Sequence, residues 1–325
     1  MNVYLNKLRR KVWSTLGSRL RGTNLYGYLY KSYWHSVFNK SNENNDGETT
    51  CYLSAVPNPG AGIGHQLANW IAGYWWAKQF GLKFAHIPFG SDSWEHVLGF
   101  GEGDVTLTQL KKEGYKVRKL PLFDEDRPNE VSNIKRIISS YKGNKVVFLC
   151  EQDQFYKNQY GVIKDIQNKF FNAPARAEDK LIFDDNNYNI AIHVRRGDIM
   201  TDPSNPNLAM RYISNDYFEK VLSNVLHHVV KTNKPVHIYF FSQGKVSDFQ
   251  EFEKFENLHW CLDMGAKDSF LHMVYADALI TSKSSFSYKP ALLNKGIKVC
   301  PENFWHSYPK SKDWVLVNDN GDFIS

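Results

Sequence analysis

The chain has 325 residues, 42% hydrophobic and 23% charged, a composition that excludes a disordered chain and leaves room for two domains. Its net charge of +6 is confined to one end: residues 1 to 40 hold eight basic side chains and no acid, which leaves 32 basic against 34 acidic residues, about −2, in the rest. That distribution excludes a basic nucleic-acid groove across the body, and four scattered cysteines with no CxxC give a metal cluster no support.

The basic arm comes first and, with its linker, is taken as residues 1 to 45. Lys7, Arg9, Arg10, Lys11, Arg19 and Arg21 are interleaved with Leu5, Leu8, Val12, Trp13, Leu16, Leu20 and Leu25. The uninterrupted apolar run of a signal peptide or spanning helix is missing. Two readings stand for this arm: a peripheral contact with anionic lipid, or a solvated helix packed on the body. The linker is the polar, Asn-rich stretch NKSNENNDGETT, residues 39 to 50.

Residues 46 to 180 are expected to form an N-terminal Rossmann-like domain. CYLSAV reads as a strand, PNPGAGIGHQ as a Gly/Pro-rich turn, QLANWIAGYWWAKQFG as a helix ending at Gly81, and LKFAHI as the next strand. KVVFLC, 145 to 150, is a further buried strand, while 91 to 140 shows too little periodicity to assign. Trp75 and Trp76 on the first helix read as core. Cys51, Cys150, Cys261 and Cys300 all sit in apolar, strand-like surroundings and read as buried free thiols of a reducing compartment.

Residues 181 to 325 are expected to form a second Rossmann-like domain. Strands are read at 190 to 194, 236 to 242 (VHIYFFS), LHWC, ALITS and IKVC, with helices around 216 to 231, 246 to 255, 268 to 276 and 286 to 294. His227 and His228 fall on a solvated helix surface. Strands alternating with helices give a parallel, doubly wound sheet, whose ligands bind at the carboxyl ends of its strands.

Three features fall at such ends. In NIAIHVRRGDIM, residues 189 to 200, a buried strand delivers His193, Arg195, Arg196 and Asp198 to its mouth. Arginine is costly near a core unless it has a partner, and a guanidinium fork suits phosphate. SSFSY, Ser284 to Tyr288, puts small hydroxyl residues at a strand-to-helix turn, where free amides favour an anion. Gly60, Gly62 and Gly64 permit close backbone approach, but their spacing is not GxGxxG, and no GxxxxGK[ST] is present. Together these residues suggest a diphosphate held without metal, as a nucleotide-sugar transferase needs for its leaving group.

GIGHQLANWIAGYWWAKQFG, HVRRGD and DSFLHMVYADALITSKSSFSYKPALLNKG resemble, in this order along the chain, the motifs of fucosyltransferases, most closely the α-1,2 family (glycosyltransferase family 11). The arginine motif is shared with α-1,6- and protein O-fucosyltransferases. The resemblance spans roughly residues 60 to 300. It implies an α/β fold of GT-B type, with two Rossmann-like domains facing a central cleft. The N-terminal domain would serve the acceptor and the C-terminal domain the donor. The implied reaction is metal-independent, inverting transfer of L-fucose from GDP-fucose to a glycan hydroxyl, with no further cofactor.

Carried over by position, Arg195 binds the β-phosphate and stabilises the leaving GDP, and His193 contacts the nucleotide. Asp268 accepts from guanine, while Ser284, Ser285 and Phe286 line the pyrophosphate pocket beside Gly64. Arg196 and Asp198 brace the loop through a local ion pair. The family reads Gly-x-Gly-Asn-Gln where this chain has Gly62-Ile63-Gly64-His65-Gln66, which leaves the acceptor linkage open. His65 is therefore read two ways, as the group that meets the acceptor hydroxyl and takes its proton, or as a donor-binding residue in place of asparagine. Asp202 is the second base candidate. NFWHSYP, with Trp305 and His306, either closes over the sugar or packs the C-terminal tail. The alternatives to fucosyl transfer are use of another nucleotide sugar, or a non-catalytic nucleotide- or carbohydrate-binding protein on this scaffold. The expected location is cytoplasmic, with the arm as a contact to the inner face of a membrane.

Overall fold

The computed structural model describes residues 50–58, 60–150, 156–200, 204 and 210–324, with positions 4, 8, 11, 12, 15–17, 19, 20, 23 and 25 of the arm. In chain order the elements are β1 (Tyr52–Ala55), α1 (Ile63–Gln79), β2 (Lys83–Phe84), α2 (Asp92–Leu98), α3 (Leu107–Lys112), β3 (Lys116–Lys119), α4 (Pro128–Ser139) and β4 (Val146–Cys150). There follow α5 (Ile163–Phe171), β5 (Tyr188–His193), α6 (Asn215–Asn224), β6 (Val236–Ser242), β7 (Leu258–Leu262), α7 (Ala266–Tyr275), β8 (Ala278–Ile280), α8 (Ser285–Leu293), β9 (Ile297–Pro301) and β10 (Trp314–Val317). The class is α/β, with two sheets whose named strands all pair in parallel. Residues 1–58, 69–88 and 103–156 make one unit; 59–68, 89–102 and 157–325 make the other.

The first unit carries a four-stranded sheet in the order β2-β1-β4-β3. Leu53 of β1 and Val146 and Phe148 of β4 are buried against Trp76 of α1 and Ile134 and Ile137 of α4. Trp76 stacks on Phe80 and meets Phe123 edge-on, and Trp75 stacks on Tyr156, so both tryptophans are packing groups, as the sequence predicts. Gly73 permits this close seat of α1 on β1, since a Cβ there would strike Ala55. The stretch 91 to 140 holds α2, α3, β3 and α4. Strand β3 is KVRK, which has no apolar run to announce it, and its Arg118 is buried with its guanidinium over the Tyr141 ring.

The second unit carries a six-stranded sheet in the order β10-β9-β8-β5-β6-β7. Strands β5, β6 and β8 each hold a buried apolar run, Ile190–Ile192, Ile238–Phe241 and Ala278–Ile280, as strands covered on both faces do. Ile190, Ile192 and Val194 pack with Phe240, Phe249 and Phe252, and α6 adds Phe218, Val221 and Leu222. Two expectations are corrected. The helix expected over 216 to 231 is regular only to Asn224 and continues as a wider π turn, Val225–Val229, that leaves His227 and His228 exposed. In place of a helix over 246 to 255 there is 3₁₀ structure, Val246–Phe252, broken at Phe249 (φ −138°, ψ 36°). The Phe249 ring is wholly buried and lies 4.9 Å from that of Phe240. Strand β10 lies at the sheet's edge beyond the strands the sequence announces.

Candidate functional site

The chain lays β6 and β7 on one side of β5 and then places β8 on the other. The gap between the carboxyl ends of β5 and β8 is thus the switch point of this sheet, where helices leave in opposite directions and a crevice opens. His193 is the last residue of β5, and Ser282 to Ser287 follow β8 into α8.

His193 is buried, and its Nδ1 shares a 2.8 Å hydrogen bond with Ser282 Oγ. Burial first, then the charges of Arg195 and Arg196, lower its pKa to about 3, so the imidazole is neutral at physiological pH. Ser282 in turn is fixed from α8, because its N–H donates to Ser287 Oγ at 3.2 Å. The bond from Ser282 to His193 does not show in the sequence, where only Ser284 to Tyr288 read as an anion-favouring turn.

Arg195, half-buried, donates from Nη1 to Ser284 Oγ at 2.8 Å. Ser284 is the N-cap of α8, and the same oxygen accepts the Phe286 N–H at 3.2 Å. A guanidinium is therefore tied to the N-terminus of a helix, the end that already carries positive potential. Two sources of positive potential at one point oppose each other unless an anion lies between them. The arrangement thus favours phosphate and can stabilise charge on a departing oxygen.

Arg196 faces away from this role. It donates to the Arg195 carbonyl at 2.8 Å and to Asn215 Oδ1 at 2.5 Å, and its guanidinium lies 4.7 Å from the Tyr212 ring centre. It braces the loop on Asn215 and Tyr212. The side chain of Asp198 and all of Asp202 lie outside the described residues. Gly197 turns the loop with φ +68°, and a Cβ there would strike Gln243.

The first turn of α1 comes against this same helix end. Of the glycines in the turn, Gly62 faces open space, whereas a Cβ on Gly64 would lie 2.7 Å from the Ser285 carbonyl carbon and 2.9 Å from Phe286 N. Gly64 thus lets two backbone segments meet. Next to it His65 is half-buried and within electrostatic reach of His306. His306 is buried and stacked on Tyr288 of α8, and burial, followed by Lys289 and His65, holds its pKa far below the histidine range. Lys289 is fully buried with its Nζ on Gln159 Oε1 at 2.7 Å, and burial pushes its pKa well down. The sequence gives no sign of this, because a lysine in a helix reads as a solvated face.

A line of rings closes the other side. His193 and Phe286 are 5.5 Å apart, Phe286 and Phe270 of α7 6.3 Å, and Phe270 and Trp94 of α2 5.5 Å. Asp268, two residues from Phe270 in the first turn of α7, is exposed. In the NFWHSYP segment Phe304, His306 and Tyr308 pack on Tyr288, while Trp305 stays partly exposed beneath the Arg211 guanidinium. The structure thus gathers His193, Arg195, Ser284, Ser285, Phe286 and Gly64. Among the described residues, no three His, Cys, Asp or Glu side chains gather as a cation site.

No family model matches the chain, and no curated protein matches it. Among solved structures it is similar to a mutant of Arabidopsis thaliana FUT1 in complex with GDP, at 13% identity over 97% of this chain and 81% of that chain, with a TM-score of 0.45. It is similar also to the NodZ α-1,6-fucosyltransferase co-crystallised with GDP, at 11% identity over 86% and 98%, with a TM-score of 0.45. A third likeness is to the E. coli heptosyltransferase WaaC with ADP, at 8% identity over 83% and 93%, with a TM-score of 0.44.

Proposed function

We propose that this chain is an inverting, metal-independent glycosyltransferase of GT-B type that moves L-fucose from GDP-fucose to a glycan hydroxyl. The observation that carries the reading is the Arg195 guanidinium hydrogen-bonded to the N-cap serine of α8 at the sheet's switch point. The acceptor oxygen attacks the anomeric carbon, the bond to the β-phosphate oxygen breaks, and GDP leaves with the electron pair. Arg195 and the α8 amides meet the charge that develops on that oxygen. His193, neutral and fixed by Ser282, contacts the nucleotide from the β5 end. Ser285 and Phe286 line the diphosphate, and the exposed Asp268 carboxylate accepts from guanine. The acceptor proton goes to His65 or to Asp202, and the N-terminal unit supplies the acceptor side. The choice of fucose rests on the motif resemblance.

Calorimetric titration with GDP, UDP and ADP, with and without EDTA, tests this reading. GDP is expected to bind tightest, and equally well in EDTA. Arg195→Ala is expected to weaken GDP by about 100-fold, close to 3 kcal/mol for a lost charge-assisted fork. Tighter UDP binding, or no binding of any of the three, overturns the assignment. Turnover by His65→Ala and Asp202→Ala then identifies the base, since a variant that keeps wild-type kcat is not it.

A further inference from the structure

Five of the twelve large hydrophobic side chains exposed on the described surface lie in the arm: Tyr4 (86%), Leu8 (63%), Val12 (52%), Leu16 (42%) and Leu25 (65%). The first four recur at every fourth position, and each is helical. At 3.6 residues per turn that spacing sets them along one slowly drifting stripe of a helix. Had the arm packed on the body, this stripe would be the part to be covered, and it is exposed.

The charge pattern answers the stripe. Continued at about 100° per residue, the sequence assigns Leu5, Trp13 and Leu20 to the apolar half. Lys7, Arg10, Lys11 and Arg21 fall in the other half, and no acidic residue occurs before residue 43. Arg9 and Arg19 come within the apolar half, where their long stems can carry the charge outward to headgroups. An apolar stripe backed by unrelieved positive charge fits an anionic lipid surface, with the rings and leucines at the acyl boundary and the cations among the phosphates. A protein partner covering the stripe would need acidic groups beside it, and a nucleic acid would leave the leucines in water. No described helix is long and apolar enough to cross a membrane, so the contact is one that lies on the surface.

We propose that residues 4 to 20 form an amphipathic docking helix that binds the chain to anionic lipid, independently of any donor site. The full chain is sedimented with phosphatidylcholine vesicles, with and without phosphatidylserine. It is expected to pellet only with the anionic vesicles and to be released by salt. Leu8→Asp with Leu16→Asp is expected to abolish pelleting. Lys11→Gln and Arg19→Gln should each weaken it about fivefold, the equivalent of about 1 kcal/mol per surface cation. All four side chains are exposed, so thermal unfolding and GDP titration should stay at wild-type values in every variant. No binding to anionic vesicles overturns the proposal. Binding that the charge variants weaken and the aspartates leave intact overturns it in favour of charge-only attraction, as for a nucleic acid. Self-association that Leu8→Asp removes, without vesicle binding, would assign the stripe to a second copy.

Discussion

The residue that shows most directly how backbone makes this site is Gly64. Its Cα faces the Ser285–Phe286 peptide so closely that a Cβ would sit 2.7 Å from backbone carbon, an obstacle no rotamer can relieve. Gly64→Ala is therefore expected to push the first turn of α1 off the start of α8. That would disturb the amides beside which Arg195 is held. A loss of about 1–3 kcal/mol in stability is expected, within the usual range for overpacking. GDP affinity should fall by a larger factor than the stability loss explains, because the proposed diphosphate site would be built on that contact. Urea unfolding and calorimetry on Gly62→Ala give the control, since Gly62 faces open space and should tolerate the methyl. Equal effects at the two glycines would show that Gly64 serves the turn and not the helix end.

At the scale of elements, α7 and α8 are locked together by Asn294. It caps α8, and its buried Nδ2 donates to the carbonyls of Met273, Val274 and Ala276 at 3.1, 3.0 and 2.7 Å, while its Oδ1 accepts from Gly296 N–H at 2.8 Å. These are the open carbonyls that every helix end must satisfy, and here no water reaches them. Asn294→Ala should cost about 3 kcal/mol, and Asn294→Asp more, since a carboxylate would face three carbonyls. A shift in urea midpoint of less than 1 kcal/mol equivalent for either variant would contradict this account. Helices α7 and α8 themselves were legible in the sequence to within two residues, as were β5, β6, β7 and β9. Buried parallel strands are short apolar runs, and punctuation such as Ser284 or Gly265 marks where a helix begins. What escaped was structure with a polar signature: β3, whose KVRK carries a buried arginine, and the break at Phe249, which follows from the burial of one ring. The site was legible where it is covalently local, as in His193-Val194-Arg195. It was illegible where it is assembled across the chain, as in His193 with Ser282 and Lys289 with Gln159.

Across the whole molecule the buried bases decide how stability follows pH. His193 falls from an ordinary 6.5 to about 3, His306 to about 2, and His259 and His272 are also lowered, with burial the leading cause each time. Below pH 6.5 the unfolded chain takes up protons at these positions while the folded chain does not, so stability is lost as pH falls from about 6.5 toward 3. At the other end, burial raises Tyr275 to about 12 and pushes Tyr217 and Tyr308 upward as well. Above pH 10 the unfolded chain gives up phenolic protons that the folded chain keeps, and stability falls again. Between these limits Lys289 makes stability rise with pH, by about 1.4 kcal/mol per pH unit wherever the unfolded form binds a proton that the folded form resists. Urea midpoints from pH 4 to 11 should therefore rise through neutrality and fall again at the alkaline end. The acid side should drop by several kcal/mol, because the unfolded chain protonates histidines that the folded chain keeps neutral. His193→Gln keeps a hydrogen-bonding group for Ser282 and removes the titration, so its acid limb should fall less steeply than wild type between pH 6.5 and 4. Parallel acid limbs in the two proteins would mean that His193 does not stay neutral in the fold. The pocket beside Arg195 would then carry a third positive charge.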